Sequence, residues 1–143
     1  MNALVQGMLR GEVPPPPVAR LVGFDLVEAS EGRSLFRMTT DPARHANPMG
    51  TVHGGVLCDL ADAAMGVAIA TTLAEGETFT TLELKINFLR PVWRAELRAD
   101  GVVVQRGRTV SLVECTVTDA DGRLVARANS TCMTLRGEKA AGR

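Results

Sequence analysis

The sequence predicts an α+β domain in which one long buried helix lies against a curved antiparallel sheet. Three observations predict it. Residues 54–73 are rich in Ala and Leu, free of proline and apolar on nearly every face, so as a helix this run belongs inside the protein. Residues 80–88 alternate cleanly, with Leu82, Leu84, Ile86 and Phe88 on one side and Thr81, Glu83, Lys85 and Asn87 on the other, as a half-buried strand does. Further strand candidates follow at 95–106, 109–119 and 123–135 with no helical pattern between them, which calls for antiparallel succession rather than βαβ crossovers.

Each element has a local reason. Residues 2–9 read as a short amphipathic helix with Leu4, Val5, Met8 and Leu9 on one side, ended by Gly11. Pro14 to Pro17 is an extended, stiff run and reads as a spacer that carries the first helix across the domain. Strands are expected at 22–29 and 33–39, joined at Ser30-Glu31-Gly32, where glycine supplies the positive φ of a hairpin loop. Residues 41–50 read as a loop. Asn47-Pro48 and the glycines Gly50, Gly54 and Gly55 break regular structure just ahead of the long helix. Arg90-Pro91 ends or bulges the strand before it. Leu97, Ala99, Gly101 and Val103 share one face of their strand, and the run 119–122 (Asp-Ala-Asp-Gly) is a hairpin turn. The last strand carries Ala126, Ala128, Ser130 and Cys132 on one face, small enough to let a helix lie close. The chain reads as one domain over 1–143, with 1–17 as helix and proline-rich lead-in and 137–143 as a mobile polar tail.

Composition narrows the function. At 143 residues and 45% hydrophobic, the chain has enough apolar material for one real core. Sixteen basic residues balance sixteen acidic ones, so there is no general pull toward nucleic acid or an anionic membrane. Aromatics are scarce, which argues against base-stacking platforms. Cys58, Cys115 and Cys132 are odd in number and lack C-x-x-C spacing; a reduced, cytoplasmic protein without a zinc site is expected. No signal peptide pattern opens the chain. Two aspartates inside 54–73 make that run a poor membrane span. No Gly-x-Ser-x-Gly elbow and no phosphate-binding glycine loop occurs.

The chemistry concentrates at Asn47 to Ala70. A helix start exposes free N–H groups and the positive end of the dipole, and Gly54 and Gly55 let a ligand approach closely. Such a site suits a carbonyl oxygen gaining negative charge during acyl transfer. Asp62, a carboxylate inside an apolar helix, suits a nucleophile or general base. Asp62 lies seven positions beyond Gly55, about 10 Å along the axis. Reacting atoms must come within about 3–3.5 Å, so one chain does not easily bring both parts to one carbonyl. Two antiparallel copies of the helix in a two-fold dimer would do so twice.

The pattern Asn47-x-x-Gly50-x-x-His53-Gly54-Gly55, with Asp62 nine residues after the histidine and Phe88-Leu89-Arg90-Pro91-Val92 further on, resembles the hotdog-fold acyl-CoA thioesterases of the phenylacetic-acid-degradation (PaaI) type. The resemblance implies the hotdog fold, hydrolysis of acyl-CoA without a further cofactor, and a homodimer as minimal active unit within a homotetramer. It implies Asp62 as the catalytic carboxylate and the N–H of Gly55 or Gly54 as the group that polarises the thioester carbonyl. Asn47 would help hold the carbonyl or the water, and His53 would position the loop. Some relatives use a Ser or Thr near Thr81 to hold the water. Others carry a Thr four residues after the carboxylate, where this chain has Gly66, so Thr81 is the better candidate here. Met49 and Gly54 are expected at the substrate.

The stretch 85–108 carries Lys85, Arg90, Arg94, Arg98, Arg106 and Arg108 against Glu96 and Asp100. Arg90, Arg106 and Arg108 are therefore candidates for the phosphates of coenzyme A. Asp59 is expected at the solvent near the helix start, Cys58 in packing and His45 in the loop. The alternatives are a non-catalytic acyl-CoA-binding protein, a dehydratase or hydratase of acyl thioesters, and a purely structural oligomer.

Overall fold

The structure, a computed structural model, describes residues 2–141. The chain runs through α1 (Ala3–Leu9), α2 (Pro17–Val22), β1 (Phe24–Ser30), β2 (Arg33–Thr39), the single turn α3 (Pro42–His45), α4 (Gly54–Ala70), β3 (Thr78–Phe88), β4 (Glu96–Gln105), β5 (Val110–Asp119) and β6 (Leu124–Leu135). All six strands pair antiparallel in one curved sheet, in the order β1-β2-β4-β5-β6-β3. Helix α4 packs across this sheet and touches every strand. The order and type of the long elements are those expected.

Small residues set the distance between helix and sheet. Ala126, Ala128, Ser130 and Cys132 of β6 are all buried. Gly101 of β4 lies under the helix backbone, where a Cβ would come within 2.5 Å of the Ala64 carbonyl oxygen. Ser34 of β2 donates to the same carbonyl at 2.6 Å. A hydrogen bond on one strand and a missing side chain on the next thus fix the middle of α4.

The central helix is not enclosed on every face, contrary to expectation. Leu57, Leu60, Ala61, Ala64, Met65 and Ala68 form the stripe pressed on the sheet. A second stripe, Asp59, Asp62, Ala63, Gly66, Val67 and Ala70, faces a cavity instead. Both stripes have the i, i+3, i+4, i+7 spacing of one helical face. An all-round apolar helix satisfies two neighbours at once, and in the single chain only one of them is the sheet.

Several local details also differ. Pro17 is not the end of a spacer but the first residue of α2, a position that suits a residue with fixed φ and no N–H. Residues 22 and 23 therefore end a helix, and β1 starts at Phe24. The β1–β2 loop is the two residues Glu31-Gly32, since Ser30 pairs with Arg33, and Gly32 has φ +73°. The loop at 41–50 contains the turn α3, capped by the Asp41 side chain. Of the tail expected at 137–143, residues Gly137–Ala140 form one 3-10 turn, and 142–143 lie outside the described residues. Among the described residues no helix is long and apolar enough to cross a membrane.

Candidate active site

Asp62 lies on the cavity-facing stripe of α4, and its carboxylate accepts a hydrogen bond from Thr81 Oγ1 at 3.2 Å. The partner comes from an irregularity in β3. Thr81 pairs with Cys132 and Glu83 with Thr131, so Leu82 is an extra residue in the ladder. A bulge of this kind reverses which face the residues on one side of it occupy. The alternation put Thr81 on the polar face with Glu83; the bulge turns it to the helix side and leaves Leu82 half exposed. Glu83 holds the bulge by accepting from both the N–H and the hydroxyl of Thr131.

Asp62 is open to solvent in the single chain, yet apolar walls crowd its carboxyl. Desolvation therefore pushes its pKa above the ordinary carboxylate value; the Thr81 hydrogen bond pulls the other way, and the negative charge of Asp59 adds to the rise. The cavity it faces has a volume of about 510 Å³ and lies between α4, β1, β2 and the N-terminal arm.

The helix start forms a separate half. The loop before it closes as a turn, with the Gly50 N–H donating to the Asn47 carbonyl and Gly50 at φ +87°. Asn47 itself is spent inside this loop: its Nδ2 donates to Thr51 Oγ1 at 2.8 Å and its Oδ1 accepts from the Met49 N–H at 2.9 Å. Met49, at the tip, is 82% exposed. His53 is the N-cap of α4, and its Nδ1 accepts from the Gly55 N–H at 2.9 Å. The Gly54 N–H finds no acceptor among the described residues. Gly54 also lies under the ring of Phe88, where a Cβ would come within 2.7 Å of Cζ. Of the two donors expected, Gly55 or Gly54, His53 caps Gly55, which leaves Gly54 as the open one.

Asn47, Gly54, Phe88 and Arg90 line a second cavity of about 350 Å³. It shares no lining residue with the one at Asp62. The structure therefore joins Asp62 to Thr81 and Asn47 to Gly54, but keeps the two pairs apart within one chain. Around this second half lies an apolar, unpaired margin. β3 is an edge strand, and Leu82, Phe88, Leu89 and Trp93 on or beside it are each more than half exposed.

The Thioesterase superfamily profile matches residues 49–126, which span the loop, α4 and three of the strands described. This chain belongs to the thioesterase superfamily. Thioester hydrolysis is the chemistry that membership assigns, and the architecture above is the hotdog fold. Over 87 residues the chain is 39% identical to a protein of Saccharolobus solfataricus that is provisionally named an esterase; the match spans 61% of each chain. It is 29% identical over 118 residues to human acyl-coenzyme A thioesterase 13, covering 78% of this chain and 81% of that one. Among solved structures, a phenylacetic acid degradation-related protein of Ralstonia eutropha JMP134 superposes with a TM-score of 0.83 at 35% identity, over 91% of this chain and 98% of that one.

The remaining candidates fall outside the two halves. Arg106 is committed to structure: it reaches Thr72 Oγ1 at 3.0 Å, the carbonyl of Gly107, and Glu77 at 3.5 Å, and lines neither cavity. Arg108 is exposed near the same turn. His45 is buried; its Nδ1 accepts from the Asp41 N–H and its Nε2 meets the Val22 carbonyl, so its role is to lock the loop onto α2. Among the described residues no three His, Cys, Asp or Glu side chains group to hold a metal. Two contributors escaped the sequence reading. Phe88, visible in the motif but not as a site residue, shields Gly54, and the N-terminal arm, which has no spacing signal, walls the Asp62 cavity.

Proposed function

We propose that this protein hydrolyses acyl-CoA thioesters in a homodimer whose two active sites each combine residues of both subunits. The single observation that carries this reading is the separation just described: a carboxylate with its hydroxyl partner in one cavity, and an open helix start in another. In the proposed dimer the exposed β3 edges of two copies pair, which also covers the apolar margin at Leu82, Phe88, Leu89 and Trp93. An uncovered edge of that length and character favours association. Two such dimers make the tetramer that the resemblance implies.

At each site the thioester carbonyl oxygen would rest against the Gly54 N–H of one subunit, where that donor and the helix dipole face the developing charge. His53 and Asn47 keep that loop in shape, and Met49 lies beside the entering substrate. Asp62 of the other subunit supplies the base or the nucleophile. As base, it takes a proton from water, hydroxide adds to the carbonyl carbon, and the tetrahedral oxyanion collapses to expel the CoA thiolate, which gains the proton. As nucleophile, its oxygen displaces the thiolate to give a mixed anhydride that water then opens. Thr81 orients the carboxylate in either route. Arg90, at the mouth of the second cavity, and the exposed Arg108 are the basic groups best placed for the CoA phosphates; Arg106 is not.

A panel of acyl-CoA thioesters with a thiol-trapping reagent tests the reaction. Release of CoA from at least one of them is expected, and no release from any would reject hydrolysis. Single turnover in ¹⁸O-water separates the two routes, because only the anhydride leaves label in the Asp62 carboxyl.

A further inference from the structure

We propose that the N-terminal arm is the outer wall of the acyl site, and that this site takes an uncharged, apolar acyl group of about octanoyl length. The inference rests on the hydrolase reading for the identity of the bound group, and it concerns a segment that reads in sequence as a mere spacer. The arm is built into the fold. Val5 of α1 is 1% exposed, and α1 packs on β1. After α1 the chain doubles back, with the N–H groups of Glu12 and Val13 both donating to the Gly7 carbonyl at 2.9 and 3.1 Å. Val13 then lies so close to Gly7 that a Cβ there would stand 2.7 Å from Val13 Cγ2. This fold-back sets Leu4, Met8 and Pro14 to Pro16 along the Asp62 cavity, opposite α4.

The cavity's dimensions and charge select the ligand. Its volume of about 510 Å³ lies in the range of small-molecule sites, roughly 300–1,000 Å³. Its lining on α4 runs from Asp59 to Ala70, and from the Asp62 carboxyl to the Ala70 end it spans eight residues or about 12 Å. An extended octanoyl chain with its carbonyl at Asp62 fits that length, and a palmitoyl chain does not. The charged lining groups are Asp25, Asp59 and Asp62, with no Lys, Arg or His among the described lining residues. A carboxylate at the far end of an acyl group, as in succinyl-CoA, would enter apolar surroundings beside like charges and find no partner.

The test measures kcat/KM for acetyl-, octanoyl-, palmitoyl- and succinyl-CoA on the full-length protein and on Met8→Trp and Leu4→Trp. Leu4 is 57% exposed, so its replacement does not threaten folding even if Met8→Trp does. Octanoyl-CoA is expected to be the best of the four and succinyl-CoA the worst. Either tryptophan should lower the octanoyl-to-acetyl ratio by about tenfold or more, in line with what a blocked apolar subsite costs. An unchanged ratio in a folded variant, or a preference for palmitoyl or succinyl, would overturn the proposal. If the protein hydrolyses none of the four, the hydrolase reading fails separately. Equilibrium binding of octanoyl-CoA then decides: weaker binding to Leu4→Trp than to wild type upholds the wall, and equal binding or none to either overturns it.

Discussion

Exchanging Asp62 for asparagine removes one proton acceptor and little else. The side chain keeps its shape, and an amide oxygen in place of Oδ1 still accepts from Thr81 Oγ1, the carboxyl's one side-chain partner at 3.2 Å. Leu60, Ala61 and Ala64 beside it on α4 are fully buried and untouched. Stability follows from the direction of the pKa shift. Desolvation raises the folded carboxyl above its unfolded value. The stability linked to this group is therefore full below the unfolded pKa and lost as pH rises through the folded one. At pH 7, above the unfolded pKa, the raised folded pKa of Asp62 weakens the fold, so Asp62→Asn should show an equal or slightly higher Tm, an advantage that disappears in acid. Activity moves the other way. A positioned base contributes about 10²–10⁴ in rate, which corresponds to about 3–5 kcal/mol of barrier. Thiol-trapping assays should show kcat/KM for the best thioester down by at least about 10², with the circular dichroism spectrum unchanged. In the wild type, kcat/KM should decline on the acid side with a midpoint above the ordinary aspartate value. Retained turnover in folded Asp62→Asn protein, or an acid limb at or below that value, would refute the assignment.

Other residues give independent checks. Thr81→Ala removes the hydrogen bond that opposes the rise in the Asp62 pKa; its acid limb should move to higher pH, and Thr81→Ser should restore it. Gly101→Ala forces a methyl to within 2.5 Å of the Ala64 carbonyl oxygen, a backbone atom that cannot step aside; denaturant titration should show a loss of about 1–3 kcal/mol or more. Arg106→Ala breaks the contacts to Thr72 and Glu77 and should lower Tm while leaving KM for a CoA thioester within about twofold. A large rise in KM there would return Arg106 to the phosphate site.

Much of the architecture is written in periodicity. The residue pattern of α4, the alternation in 80–88 and the small residues of β6 each identify a face; Leu84, Ile86 and the β6 residues join the buried stripe of α4 in the core, while Leu82 and Phe88 stay exposed. The motif from Asn47 to Asp62 marks both halves of the site because glycines and an intrahelical carboxylate are costly without a use. What escaped depends on contacts between distant segments. The bulge at Leu82 has no local signature: the alternation looks unbroken, and only pairing with β6 shows that Thr81 turns inward. His45 reads as a loop residue until Val22 and Asp41 are placed around it. The proline run reads as a spacer because nothing in its composition says that the chain after α1 folds back onto Gly7. Arg106 and Arg108 look alike in sequence, and the contacts of Arg106 to Thr72 and Glu77, some thirty residues away, separate them.

The central claim is that neither subunit holds a complete site. Two inactive proteins test it: Asp62→Asn, which lacks the carboxylate, and Gly54→Val, whose side chain would strike the Phe88 ring at the helix start. Each is assayed alone, then after co-unfolding and refolding in equal amounts. Random pairing makes about half of the dimers mixed, and each mixed dimer holds one intact site of two, so activity should return to about a quarter of wild type. No recovery, with mixed dimers demonstrated by mass, would contradict the shared site.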